Sequence, residues 1–170
     1  MAKLKPESRG AWFRAGGAVG EQRRLDVQKV LSPHEFAALG TWAWEYWGRD
    51  EQLPPDGAWR VWLICAGRGF GKTRAGAEWV RNLARHDDSA RIALVGANLG
   101  EVRSVMVEGE SGILAASPGG LAPEFEPSLR RLVWPNGAQA FLYSAAEPES
   151  LRGPQHNHVR QAGTEGILLQ

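Results

Sequence analysis

The chain has 170 residues, 43% of them hydrophobic, which is material for one domain with a real core. Its formal net charge of +1 gives no global pull towards nucleic acid, so contacts of that kind have to come from local patches. The lone cysteine, Cys65, excludes an intramolecular disulfide, and no apolar run reaches the ~18 residues of a membrane span or the core of a signal peptide.

Residues 1–31 set Lys3, Lys5, Arg9, Arg14, Arg23, Arg24 and Lys29 against Glu7, Glu21 and Asp26, with many glycines and no apolar period. They read as a basic, solvated leader. Ser32-Pro33-His34-Glu35 then supplies a capping side chain, a first-turn proline and a glutamate three residues after the cap. Phe36, Leu39, Ala43, Tyr46 and Trp47 recur at helical spacing, which predicts a helix from Ser32 to about Gly48. The tryptophans Trp42, Trp44 and Trp47 suit packing of this helix against a sheet edge.

Beyond Leu53-Pro54-Pro55, the apolar run from Val61 to Ala66 shows no alternation and predicts a strand covered on both faces, with Cys65 as a small buried residue. Gly76, Trp79, Val80, Leu83 and Ala84 mark one face of a helix from Lys72 to about His86, and Arg91–Gly96 is a second strand. Strand, loop, helix and strand in that order are α/β grammar. A helical pattern runs from Leu99 to Met106, with another turn or two over 111–116. Strands Arg131–Trp134 and Ala138–Ser144 flank an Asn136-Gly137 turn. After Ala145 the chain reads as polar and irregular, apart from Ile167-Leu168-Leu169.

Between the first strand and the helix stands Ala66-Gly67-Arg68-Gly69-Phe70-Gly71-Lys72-Thr73. It fits the pattern G-x-x-x-x-G-K-[ST] with alanine at the first position. Gly67, Gly69 and Gly71 allow successive backbone N–H groups to point at phosphate oxygens. Lys72 brings a mobile positive charge to the β- and γ-phosphates, and the Thr73 hydroxyl suits Mg²⁺. Such a pattern also arises by chance in glycine-rich turns, but here a buried-strand signal precedes it and a helical one follows.

Together with this loop, four further stretches resemble the ATPase domain of a large terminase subunit, the DNA-packaging motor of tailed bacteriophages and gene transfer agents. They are WEYWGRDEQLPP (Trp44–Pro55), MVEGESGIL (Met106–Leu114), WPNGA (Trp134–Ala138) and ESLRGPQH (Glu149–His156), in family order with GRGFGKTRAGAEWVR (Gly67–Arg81). The resemblance spans about Ser32 to Asn157. It implies a P-loop NTPase fold of the ASCE/RecA-like kind, three-layered with a mainly parallel sheet, incomplete here at the C-terminus and exposing an apolar edge. It further implies ATP and Mg²⁺ as cofactors, and double-stranded DNA, the portal protein and the small terminase subunit as partners. A homo-oligomeric ring without a membrane, in the cytoplasm of a bacterial host cell, completes that picture.

In the family, ESLRGPQH leads within about ten residues to an apolar strand closed by Asp-Glu, which orders Mg²⁺ and activates water, and a nuclease domain follows. Neither stands in this sequence. Residues 158–170 read as a non-family tail, with Glu165 preceded by no strand signal that would fix it. The chain is therefore expected to bind nucleotide without turning it over. Downstream of the Asn157 codon, another reading frame is expected to encode the missing strand and nuclease carboxylates; sequencing that finds no such frame would make the tail a genuine terminus.

By resemblance, Gly67, Arg68, Gly69, Phe70, Gly71, Lys72 and Thr73 bind the nucleotide, with Thr73 on the metal. Arg152 matches the arginine some terminases present to a neighbour's γ-phosphate, or else holds local backbone, and Arg68 competes for that role from its own loop. Gln52 either reads the adenine edge or is a solvated linker residue. His156 and His158, without further ligands at metal spacing, read as surface residues. A small P-loop kinase would use the same loop but needs an arginine-bearing lid, and a non-catalytic interaction protein or remnant would lack nucleotide binding altogether.

Overall fold

The computed structural model describes residues 29, 32, 43, 44, 48–55, 58–117, 119–151, 155–162 and 166–169. The leader over 1–31 and the helix predicted over 32–48 fall almost entirely outside these residues, as do Trp42, Trp47, Arg152 and Glu165. The chain divides into two units, Met1–Arg60 and Val61–Gln170. In the first, a single 3₁₀ turn over Asp50–Gln52 follows Arg49, whose N–H is accepted by Gln52 Oε1 at 3.0 Å. Gln52 is buried, so its amide closes its own turn instead of lying free in a linker.

The second unit is built on one sheet of seven strands: β1 (Trp62–Cys65), β2 (Arg91–Gly96), β3 (Glu124–Glu126), β4 (Arg131–Val133), β5 (Gln139–Ser144), β6 (His158–Ala162) and β7 (Gly166–Leu169). Their order is β1-β7-β6-β2-β5-β4-β3. Only β2 with β5 and β2 with β6 pair in parallel; the other four pairings are antiparallel. The sheet is thus mixed, a correction to the mainly parallel one expected. The reason lies in the connections. Short links at 127–130, 134–138 and 163–165 can only turn the chain back on itself, whereas a parallel neighbour needs a long crossover.

β1, β6, β2 and β5 still run in one direction, because β7 is antiparallel to both β1 and β6. The hairpin of β4 and β5 closes where the sequence places its Asn-Gly turn. Gly137, at φ 99°, donates its N–H to Trp134 O at 2.9 Å, a left-handed conformation that glycine adopts without strain. β3 was not read from the sequence at all.

The helices are α1 (Lys72–His86), α2 (Leu99–Glu101), a π-helical stretch over Val102–Val107, and α3 (Ile113–Ala116). The π-helical stretch ends with Glu108 N–H on Arg103 O at 2.9 Å, five residues back. α1, α3 and the π-helical stretch touch one another, so among the described residues they form one helical layer, where three layers in all were expected. Beneath it the core is made by Val80, Ile92, Leu94, Met106, Ile113 and Leu132, each fully buried. Ala93, Val95 and Tyr143 lie on the other face of the sheet, with Phe141 and Val159 packed against them.

Two further expectations are corrected. β1 alternates, with Trp62 and Ile64 buried while Leu63 is 58% exposed and Cys65 is exposed. As the first strand in the sheet order it pairs with β7 alone, and the face that bears Leu63 and Cys65 is exposed. The stretch after Asn157 is not patternless: β6 occupies the slot beside β2, and β7 joins it to β1. The apolar edge expected from a sheet cut before its next central strand is therefore covered by the tail. No helix among the described residues is long and apolar enough to cross a membrane.

Candidate phosphate-binding loop

β1 ends at Cys65 and α1 begins at Lys72, so Ala66–Gly71 forms a six-residue link between an edge strand and a helix of 15 residues. Gly69 and Gly71 sit at φ 78° and 88°, left-handed positions that side chains rarely adopt. Gly71 caps α1 in this conformation, and its carbonyl accepts the Ala75 N–H at 2.9 Å. A Cβ placed on Gly67 or Gly69 would meet nothing within 4 Å, so the bare backbone of the loop faces open space.

The electrostatics of this helix start are unusual. A helix N-terminus carries roughly half a positive charge and is normally complemented by acidic residues. α1 has no acidic residue in its first turn and opens instead on Lys72-Thr73-Arg74. Local stability would favour the opposite sign, so the arrangement suits an anion supplied from outside the chain. Lys72 Nζ folds back to donate to the Ala66 and Gly67 carbonyls, the second at 3.0 Å, which holds the ammonium over the mouth of its own loop.

Gly67, Arg68, Gly69, Phe70, Gly71, Lys72 and Thr73 are thus brought together, as continuity of the loop requires, with Arg68 exposed. Gln52 belongs to the other unit, engaged with Arg49. Arg152 lies outside the described residues. His156 and His158 are half-buried against aromatic rings: His156 Nε2 is 2.9 Å from Tyr143 Oη, and His158 meets Trp79 edge-on at 6.1 Å. Burial lowers the His156 pKa below the usual histidine value. No group of three potential metal ligands occurs among the described residues.

Two buried charges, Glu78 on α1 and Arg160 beneath it, carry no motif that marks them in the sequence. Glu78 is 2% exposed and bound by Arg74 at 2.7 Å and Arg81 at 2.7 Å, spacings of four and three residues that a helical wheel displays. Arg160, on β6, is fully buried and donates Nη2 to Thr73 O at 3.0 Å. Its burial pushes the guanidinium down to about 9, so it remains charged at neutral pH. No sequence signal marks it, since arginine is among the residues least often buried without a partner.

The loop fits the phosphates of a nucleotide: open backbone at Gly67 and Gly69, an uncompensated helix start and a lysine over them. It does not fit Mg²⁺ equally well. Thr73 offers one hydroxyl, the loop and β6 carry no carboxylate, and the side chain that β6 sends beneath α1 is a cation.

Fold and loop define an α/β protein with a glycine-rich link from an edge strand to a helix. Residues 63–159 match the family of the terminase large subunit, T4likevirus-type, N-terminal. The match covers more than half of the chain, and the chain belongs to that family. It runs from β1 to the second residue of β6, so Arg160 and β7 lie beyond it. No curated protein and no solved structure matches the chain.

Proposed function

We propose that this chain is an ATP-binding part of a phage DNA-packaging terminase large subunit that does not hydrolyse ATP on its own. The reading is supported above all by Gly69 and Gly71, left-handed at the start of a helix that opens on Lys72 and no acid. In this reading the sheet and α1 are a P-loop NTPase core of the ASCE/RecA-like kind. Backbone N–H groups over 67–73 hold the phosphates, Lys72 turns from its own carbonyls to the β- and γ-phosphates, and Arg68 lies at the exposed rim. Double-stranded DNA, the portal protein, the small terminase subunit and further copies in a ring are the partners proposed, in the cytoplasm of a bacterial host.

Hydrolysis needs a carboxylate to orient and deprotonate water, a contribution of roughly 10²–10⁴ in rate. β6, which lies beside β2 and under α1, reads His158-Val159-Arg160-Gln161-Ala162 and supplies none. The expected result is saturable binding of a fluorescent ATP analogue without phosphate release above the no-protein rate. Steady phosphate release abolished by Lys72→Ala would contradict the second half of the proposal. No saturable binding would contradict the first and favour a non-catalytic interaction protein.

A further inference from the structure

The largest fully buried side chain in the described core is a charged one, Arg160. Its Nη2 has the Thr73 carbonyl, while Nε and Nη1 find no hydrogen-bond partner among the described residues. A buried guanidinium ordinarily sits against a carboxylate. The buried carboxylate of α1, Glu78, is already held between Arg74 and Arg81. Room for the guanidinium is made by Gly76: a Cβ there would lie 2.5 Å from Arg160 Nε. The cation is therefore lodged against the backbone of residues 73–76, in the first two turns of the helix that carries the loop.

A positive charge at this depth, with no carboxylate paired to it among the described residues, raises the potential at the helix start, where the loop amides and Lys72 already favour an anion. It acts with opposite sign on a divalent cation. Resting on the phosphate-binding reading above, we propose that Arg160 is a positioning residue for bound phosphates, a fixed counter-charge that lets the loop take a polyphosphate without a divalent metal. Coulomb attraction falls slowly in a low-dielectric interior, so the guanidinium need not touch the ligand to act on it. Its bond to Thr73 O also fixes the turn that bears the last residue of the loop motif.

The test is calorimetric titration of the full chain with ATP and with inorganic tripolyphosphate, in excess Mg²⁺ and in EDTA, repeated with Arg160→Met and Arg160→Lys. For the unaltered chain, affinity in EDTA is expected to equal or exceed that in Mg²⁺. Arg160→Met is expected to weaken binding in EDTA by about tenfold and to make it improve on adding Mg²⁺, while Arg160→Lys stays within about threefold of the unaltered chain. A purely structural role would not create metal dependence. Binding by the unaltered chain only in Mg²⁺ would overturn this inference and leave the phosphate-binding reading standing. Absence of binding in both conditions would overturn both. A folded Arg160→Met variant that binds like the unaltered chain, with the same indifference to metal, would also overturn the role assigned to Arg160.

Discussion

Replacing Lys72 with alanine is expected to weaken ATP binding by on the order of 100-fold or more, because each hydrogen bond from a charged donor is worth ~1.5–3 kcal/mol and the ammonium makes at least two. In the free chain those bonds go to the Ala66 and Gly67 carbonyls, so the side chain is already gathered over the loop and little ordering is needed on binding. The substitution leaves the helix intact, since alanine is the strongest helix former and Lys72 is only half-buried. Calorimetry beside a thermal melt separates the two effects. Lost binding with an unchanged melting temperature is the expected pair. Undiminished affinity would place the phosphates elsewhere.

The second large effect is on stability and has an unusual sign. Arg160→Met is expected to stabilise the fold by roughly 1–4 kcal/mol, since replacing a buried charge that has no carboxylate partner among the described residues with an apolar side chain relieves its desolvation. Methionine is flexible enough to follow the channel that Gly76 leaves open. The bond to Thr73 O, from a charged donor, is lost at a cost of about 1.5–3 kcal/mol, which the relieved desolvation of several kcal/mol exceeds. For a unit of this size the gain amounts to several degrees in melting temperature, roughly 4–8 °C per kcal/mol in domains of up to ~100 residues. A variant that is more stable yet binds phosphate less well would show a stabilised fold traded against function. A lower melting temperature would mean that the guanidinium is compensated in the folded chain.

Where pattern and packing agree, the sequence can be read directly. α1 begins at Lys72 and ends at His86, and β2 spans Arg91–Gly96, as periodicity and apolar runs predict. The Asn136-Gly137 turn announces its hairpin because glycine takes the left-handed backbone at position 137 without strain. The glycine loop was legible as a motif flanked by a strand and a helix, and the geometry adds the two left-handed glycines and the folded-back lysine. Legibility fails where tertiary context overrides local preference. β6 carries histidine, arginine and glutamine into the sheet, and only its pairing with β2 and β7 makes it a strand. Three-residue β3, bounded by prolines at 123 and 127, is too short for its pattern to register. The exposure of Cys65 is not legible, because an apolar run does not reveal that its strand stands first in the sheet order.

If the loop between β1 and α1 holds phosphate groups, amide hydrogen exchange resolved by residue registers them where they bind. On addition of ATP, the amides of Gly67–Thr73 are expected to gain protection, with smaller gains along the first turns of α1, and inorganic tripolyphosphate is expected to reproduce the pattern in the loop. Protection confined to other segments, or an exchange profile unmoved at saturating ATP, would contradict phosphate binding by this loop.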